Sequence, residues 1–102
     1  MQGHIVLKPS TNVSVTVSNS TVSLATPPTA ANAGILTVEA ADVRCRWDGS
    51  DPVAGVKGGV GGLLMPKNSV WEISGRDFFA SMIFIRDGST DAVVSVNYIK
   101  GE

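Results

Sequence analysis

Charged residues are scarce in this sequence. They make up 17% of the 102 residues, against about 25% in typical soluble domains. The formal net charge is −1 at pH 7, so the chain has no overall basic field that would attract nucleic acid or an anionic membrane surface. No stretch reaches the ~18 consecutive apolar residues that a membrane-spanning helix needs. We therefore expect neither nucleic acid nor a membrane among its partners.

The residue types that most often bind metals or act as nucleophiles are nearly missing. Cys45 is the single cysteine and His4 the single histidine, which excludes an intrachain disulfide and a cysteine-only metal site. Cys45 lies between two arginines and is interpreted as a small buried apolar residue. Five glycines at residues 55–62 match neither common phosphate-binding pattern and predict a surface loop. We expect no catalytic residue, no metal and no cofactor, and predict that the protein is not an enzyme.

Strand-forming residues are abundant instead. Valine, serine and threonine account for 32 of the 102 residues, whereas glutamate occurs 3 times and leucine 5 times, which favours strands over helices. Val13, Val15 and Val17 alternate with serine and threonine, the pattern of a strand with one buried face. Residues 19–20 are suited to a tight turn before residues 21–24, so this stretch predicts a hairpin.

A denser apolar pattern begins at residue 35. Residues 35–39 and 42–47 each predict a strand, and Val43, Cys45 and Trp47 share the face that points into the core. Residues 63–65 and 70–73 predict a second hairpin. Residues 78–86 have the apolar content of a short helix but favour a strand. Residues 92–99 alternate in the pattern of a last strand.

Seven to nine short strands at roughly even spacing predict an all-β fold. The expected architecture is a small antiparallel β-sandwich or barrel of jelly-roll-like form. Residues 1–33 are predicted to form an N-terminal arm or hairpin with a proline-containing connection, and residues 34–102 the β-sandwich core. The length of the chain favours one domain overall.

Arginine and tryptophan, which are enriched at interaction hot spots, occur together near the ends of two predicted strands. Arg44 and Arg46 project from one face of the strand that ends at Trp47, and Arg86 ends another strand. These four residues are the candidate protein-interface residues.

Two interpretations of the arginine pair stay open. It can form an inter-subunit contact, or it can belong to a solvated sheet face on which Arg44 pairs with Asp42 and Glu39. For the two tryptophans, Trp47 and Trp71, the core is the favoured position.

The edges of so small a sandwich need protection. Exposed edge strands must be paired or blunted, and this chain has few charges with which to blunt them. Oligomerisation covers edges and apolar surface together. We therefore expect a homo-oligomer or permanent attachment to a larger shell.

A series of short motifs extends from about residue 22 to residue 99. It comprises an apolar strand with a glutamate, a strand carrying R-x-R before D-G and a proline, a glycine before Leu-Leu, a strand ending in glycine, an F-I-R strand and a V-x-V-x-Y strand. The matching residues are 35–39, 43–49 with Pro52, 62–64, 73–75, 84–86 and 94–98. In these motifs the sequence resembles a group of small structural proteins of tailed bacteriophages. The glycine-rich loop at residues 55–62 and Cys45 depart from their usual pattern.

The resemblance implies a virion protein that is assembled in the host cytoplasm. The expected role is capsid decoration: a cement protein that stabilises the head by binding the major capsid protein or other virion proteins as an oligomer, a trimer in the case of decoration. A head–tail connector or tail component is the alternative within the class. A carbohydrate-binding or adhesion module is the alternative from another class, because small β-sandwiches often host that role.

Overall fold

The computed structural model describes residues 8–24, 32–56 and 60–100, with side chains for residues 12–24, 32–56 and 60–99. These residues form eight strands and one short helix. In chain order they are β1 (Lys8–Val17), β2 (Val22–Ser23), β3 (Ala33–Glu39), β4 (Val43–Arg46), β5 (Leu63–Met65), β6 (Val70–Ser74), α1 (Arg76–Ser81), β7 (Ile83–Arg86) and β8 (Ala92–Lys100).

The strands form two four-stranded sheets. One has the order β1-β8-β3-β6 and the other β2-β7-β4-β5, and all paired strands are antiparallel. The prediction of a small antiparallel all-β sandwich is therefore confirmed. In the described part of the chain, no helix is long and apolar enough to cross a membrane.

The core lies between the sheets and is built from alternate side chains of each strand. In β8, Val94, Val96 and Tyr98 are fully buried. The neighbouring strands place Val13 and Leu36 in register with Val96, so one apolar row crosses three strands. The alternation seen in residues 12–18 and 92–99 thus predicted the buried faces correctly, because successive strand side chains point to opposite sides.

The hairpin predicted for residues 12–24 is wrong. β1 pairs with β8 along nearly its whole length, whereas β2 pairs with β7 in the other sheet, where Val22 lies opposite Phe84. The chain crosses between the sheets at residues 18–21, where the Arg86 N–H donates to the carbonyl of Ser18. Alternation determines which face of a strand is buried but not which strand lies beside it. The predicted proline-containing connection falls at residues 25–31, outside the described residues.

The hairpin predicted for β5 and β6 is also wrong. β5 pairs with β4, and β6 pairs with β3 in the other sheet. In the turn between them, the Asn68 N–H donates to the Val38 carbonyl at 2.7 Å, and the Val38 N–H donates to the Ser69 carbonyl at 3.0 Å. These two bonds fix the turn to the end of β3, so the chain enters the sheet of β3 and does not fold back along β5.

Helix α1 occupies part of the stretch for which a strand was favoured. The strand prediction is confirmed for residues 83–86 and wrong for residues 78–81, which are helical. Helix α1 brings Phe79 into the core, and Met82, the extended residue that ends the helix, is buried as well. The Phe79 ring packs edge-on against Tyr98, with ring centroids 5.1 Å apart.

Gly34 leaves the space that the Phe79 ring fills. A Cβ atom on Gly34 would lie 2.8 Å from Cζ of Phe79 and 3.2 Å from Cγ1 of Val96. Both neighbours are buried, so neither has room to move aside. The close contact between α1 and the sheet therefore depends on the missing side chain at Gly34.

We predict that Gly34→Ala lowers the free energy of unfolding by about 1–3 kcal/mol, as overpacking in a core does. Chemical denaturation followed by tryptophan fluorescence measures the change. Gly88→Ala is the matched control, because a Cβ there would meet nothing within 4 Å, and its effect should stay within about 0.5 kcal/mol. Equal stability of the two variants would contradict the packing described for Phe79.

Candidate functional site

Exposed apolar side chains are concentrated on one stretch of the chain. Among the described residues, six of the seven large hydrophobic side chains that are exposed lie between residues 47 and 64, and the seventh is Val70. The six are Trp47, Val53, Val56, Val60, Leu63 and Leu64. We call this stretch, residues 47–64, the apolar segment. Concentrated exposed apolar surface is typical of sites that bind another protein.

Two clefts flank strand β5. The larger, of about 410 Å³, is lined by Trp47, Leu63 and Leu64 together with Cys45, Arg46, Asp48 and Gly62. The smaller, of about 240 Å³, opens between the edge strands β5 and β6 and is lined mainly by apolar side chains, including Trp47, Leu63, Met65, Trp71, Ile73 and Phe78. The edge strand β5 therefore has a cleft on either side.

Trp47 lies at the junction of the two clefts, not in the core. The prediction that it shares the core face with Val43 and Cys45 is wrong, since Trp47 is 42% exposed whereas the other two are fully buried. β4 ends at Arg46, so the strand alternation no longer applies one residue later. The Trp47 ring packs on Phe78, with ring centroids 5.1 Å apart.

Trp71 is half-buried and packs against the core. Its indole N–H donates to the hydroxyl of Ser69 at 2.8 Å. The core position expected for this tryptophan is thus only partly correct, because one side of the ring lines the smaller cleft.

Arg46 holds the apolar segment in place at two points. Its Nε and Nη2 donate to the two carboxylate oxygens of Asp48 at 3.0 and 2.5 Å, and its Nη1 donates to the Val60 carbonyl at 2.9 Å. The guanidinium keeps the pKa of Asp48 below its usual range. One side chain thereby connects both ends of the loop to β4.

Arg44, which projects from the same face of β4 as Arg46, binds the same loop. It is 6% exposed, and its Nε donates to Oδ1 of Asp87 at 2.8 Å while Nη1 donates to the Gly62 carbonyl at 3.3 Å. Oδ1 of Asp87 also accepts the N–H of Gly55 at 2.9 Å. Asp87 thus joins β4, the end of β7 and the middle of the loop.

The solvated-face interpretation of Arg44 is therefore wrong. Its partner is Asp87 and not Asp42 or Glu39, and the Asp42 carboxylate instead accepts the backbone N–H of Lys67 at 2.7 Å. The Arg44 guanidinium is buried among the described residues and holds the loop through Gly62. Its place in a protein interface stays a prediction.

Glycines allow the loop to approach β4 closely. Gly62 has a φ of 96°, and a Cβ atom there would lie 2.6 Å from the carbonyl oxygen of Cys45. A Cβ on Gly61 would collide with the carbonyl of Val56. The predicted surface loop is thus packed on β4 and on itself at these positions; residues 57–59 of the glycine-rich stretch lie outside the described residues.

Arg86 lies apart from the two clefts. Its Nη1 donates to Asp91 at 2.5 Å across the crossover from β7 to β8, and Asp91 is half exposed. The Nε of Arg86 is buried and has no hydrogen-bond partner among the described residues. Of the four candidate interface residues, Arg46 and Trp47 therefore line the larger cleft together. Arg44 is bonded to Gly62, which lines the same cleft, and Arg86 lies elsewhere.

Cys45 is fully buried, as expected for a small apolar residue. Burial raises the pKa of its thiol to about 12, so the thiolate that a nucleophile needs is almost absent at neutral pH. His4 lies outside the described residues. Within the part of the chain that the structure describes, no group of three or more His, Cys, Asp or Glu side chains is placed to hold a metal ion.

Sequence reasoning missed Asp87, Phe78 and the two leucines of β5. Leu63 and Leu64 carried a usable signal, since a run of three apolar residues between Gly62 and Pro66 predicts a short strand. Asp87 carried none, because its contact with Arg44 joins residues 43 positions apart.

Comparison with known proteins gave no relatives. No family model matches the chain, and neither a curated protein nor a solved structure matches it.

We predict that Asp87→Asn lowers the free energy of unfolding by about 1–3 kcal/mol, because it leaves the buried Arg44 guanidinium without its counter-charge. Asp91→Asn removes the partner of Arg86 at a more exposed site and should cost less than about 1 kcal/mol. Urea denaturation at neutral pH measures both. A larger loss for Asp91→Asn would contradict the role given to Asp87.

The Asp87 contribution should disappear in acid. Arg44 holds the pKa of the Asp87 carboxyl below its usual range, so the contribution is complete above the unfolded-state pKa of about 3.9 and is lost as the pH falls through the lower folded-state pKa. The stability difference between the wild type and Asp87→Asn should therefore be constant from pH 7 to about 5 and shrink below pH ~4. Urea titrations of both proteins across this range measure it, and a difference that grows in acid would contradict the ion pair.

Proposed function

We propose that this protein is a structural protein of a tailed-bacteriophage virion, a capsid decoration protein that stabilises the head by binding the major capsid protein as a homo-oligomer. The observation that carries the proposal is the apolar segment, which has six exposed apolar side chains and whose residues Val60 and Gly62 are bonded through their carbonyls to two arginines. Surface residues that are held in place before contact bind protein at a lower entropic cost.

Rigidity distinguishes this surface from an ordinary exposed loop. The carbonyls of Val60 and Gly62 accept from Arg46 and Arg44, and the N–H of Gly55 donates to Asp87. The Val53 N–H donates to the Gly61 carbonyl at 3.2 Å, which closes the loop on itself. The valines are therefore presented by a loop with fixed attachment points.

The resemblance to small phage structural proteins supports the biological class. Its motifs fall on β3, β4, β5, β6, β7 and β8 and on the turns that follow them, which is the framework of the sandwich. A framework shared in this way supports a fold, whereas the function rests on analogy and on the apolar segment.

Decoration works through repetition of weak contacts. Each copy would place its apolar segment against the shell, and an oligomer would engage several capsid subunits at once. Linked contacts add through effective concentration, so modest individual affinities give a lasting attachment. Such attachment would hold neighbouring capsid subunits together against the pressure of packaged DNA.

A head–tail connector or tail component would use the same chemistry. Copy number separates it from decoration: many copies spread over the shell, or one ring at a single vertex. Electron microscopy of particles labelled on this protein gives that number.

A carbohydrate-binding module is the second candidate, because Trp47 and Trp71 line one cleft. The chemistry of the cleft favours protein, however. The Trp47 ring packs on Phe78 and the Trp71 N–H is bonded to Ser69, and the lining of this cleft has six apolar residues beside the polar Glu72 and Ser74. Specific binding in a glycan screen, lost on Trp47→Ala, would favour this second candidate over decoration.

The test compares two equally exposed valines. Val60 is 67% exposed within the apolar segment, and Val70 is 64% exposed on β6. We expect the wild-type protein and Val70→Glu to co-sediment with phage particles that lack the protein, and Val60→Glu to bind at least about tenfold more weakly, because it places a charge in an apolar contact. Both variants should keep the wild-type unfolding midpoint.

Two results would overturn the proposal. The first is a wild-type protein that associates with neither the heads nor the tails of the phage. The second is Val60→Glu binding as strongly as Val70→Glu, which would remove the apolar segment from the contact.

A further inference from the structure

Asparagine is followed by serine twice in this chain, at Asn19-Ser20 and at Asn68-Ser69. An asparagine loses its side-chain amide when the backbone nitrogen of the next residue attacks its Cγ atom. A small next residue leaves that nitrogen accessible, and the attack also requires the backbone and the side chain to rotate toward each other. Local structure therefore decides which of two chemically equal pairs reacts.

The Asn68-Ser69 pair is fixed by hydrogen bonds. The Asn68 N–H donates to the Val38 carbonyl at 2.7 Å, and the Ser69 N–H donates to the Pro66 carbonyl at 3.1 Å. The Ser69 carbonyl accepts the N–H of Val38, and its hydroxyl accepts the indole N–H of Trp71. The nitrogen that would attack is thus bonded elsewhere, in a turn that is held on β3.

The Asn19-Ser20 pair is held much less. It lies in the crossover between β1 and β2, and both residues are exposed. The Ser20 N–H donates only to the hydroxyl of Ser18, at 3.3 Å, which is long for a hydrogen bond. The Asn19 amide makes no hydrogen bond to any described residue. Its side chain is therefore free to turn toward the Ser20 nitrogen.

The other three asparagines are built into the β1-β8-β3-β6 sheet or its end. The Asn12 amide donates to Oδ1 of Asn97 at 2.6 Å across β1 and β8, and their extended backbones keep each side chain apart from the next nitrogen. Asn32 donates its N–H to the Ile99 carbonyl at 3.3 Å and enters β3 at the next residue. None of the three has the freedom of Asn19.

Two Asp-Gly pairs, at residues 48–49 and 87–88, have a related chemistry but are protected. An aspartate closes the same ring only when its carboxyl is protonated. Arg46 bonds both carboxylate oxygens of the first aspartate, and Arg44 bonds one oxygen of the second. These arginines keep the pKa of both carboxyls below its usual range, so the carboxyls are ionised at neutral pH and resist ring closure.

We propose that Asn19 is a site of spontaneous deamidation in the folded protein. The Ser20 backbone nitrogen gives up its proton to solvent and bonds to Cγ of Asn19, and the side-chain nitrogen leaves as ammonia. The product is a five-membered succinimide ring. Water then opens the ring at either carbonyl and leaves aspartate or isoaspartate, so one water enters for each ammonia released.

The reaction would place a negative charge where the chain has none. Residues 9–38 contain no aspartate, glutamate, lysine or arginine, so the product at position 19 would be the first charge in that stretch. The inference does not depend on the proposed function. It concerns the crossover at residues 18–21, and its test needs only the purified protein.

The test follows deamidation by mass spectrometry of tryptic peptides during incubation at neutral and mildly alkaline pH. Asn19 falls in peptide 9–44 and Asn68 in peptide 68–76, and fragmentation assigns the modified residue. In the folded protein Asn19 should react at least about tenfold faster than Asn68, because Asn68 must first open its turn. In urea the two rates should agree within about threefold, since unfolding removes this protection.

Two variants test the assignment at the exposed crossover, where substitutions leave stability nearly unchanged. Asn19→Gln should abolish the acidic form, because a six-membered ring closes far more slowly. Ser20→Val keeps the asparagine but shields the attacking nitrogen with a branched side chain, and should slow the reaction at least about tenfold.

The products test the route. Isoaspartate beside aspartate at position 19, and a rate that rises with pH, would support attack by the backbone nitrogen. Aspartate alone would overturn that route. Equal rates at Asn19 and Asn68 in the folded protein, or an Asn19 that reacts only in urea, would overturn the assignment of the site.

Discussion

The surface of this protein depends on one ion pair, between the buried Arg44 and the partly exposed Asp87. The Asp87 carboxylate accepts from Arg44 and from the backbone of Gly55, and Arg44 also reaches the carbonyl of Gly62. Three separate parts of the chain are thereby joined at one point. Without it, the loop that presents the exposed valines would keep the contacts of Arg46 and the bond between Val53 and Gly61, but it would lose its attachment at Gly55.

The charged side chain of Arg44 is buried, in a chain of which only 17% of the residues are charged. Buried ion pairs cost desolvation and are weak evidence for stability, but they fix the relative position of the elements that supply them. The five-donor guanidinium is well suited to this, because it can reach a carboxylate and a carbonyl in different directions. In this protein the pair determines the shape of a surface more than it adds to the core.

The sequence predicted the buried faces of the strands better than it predicted which strands pair with each other. Val94, Val96 and Tyr98 are buried where the alternation placed them, since the side-chain period of a strand is a local property. Both hairpins were wrong, because pairing depends on contacts such as that of Asn68 with Val38, which no local pattern contains. Trp47 was placed in the core for the same reason: the alternation was continued one residue past the end of β4. Arg46 and Trp47, which residue type alone marks as candidate interface residues, both line the larger cleft.

The order in which the chain visits the two sheets has a consequence for folding. Strands β1, β3, β6 and β8 form one sheet and β2, β4, β5 and β7 the other, so among the described strands only β4 and β5 are both consecutive in sequence and paired. Neither sheet can be completed until nearly the whole chain is present, and pairings between distant segments are slow to form. A fragment that ended before β8 would leave β1 and β3 without the strand that lies between them. The sheet β1-β8-β3-β6 is therefore the last to be completed along the chain.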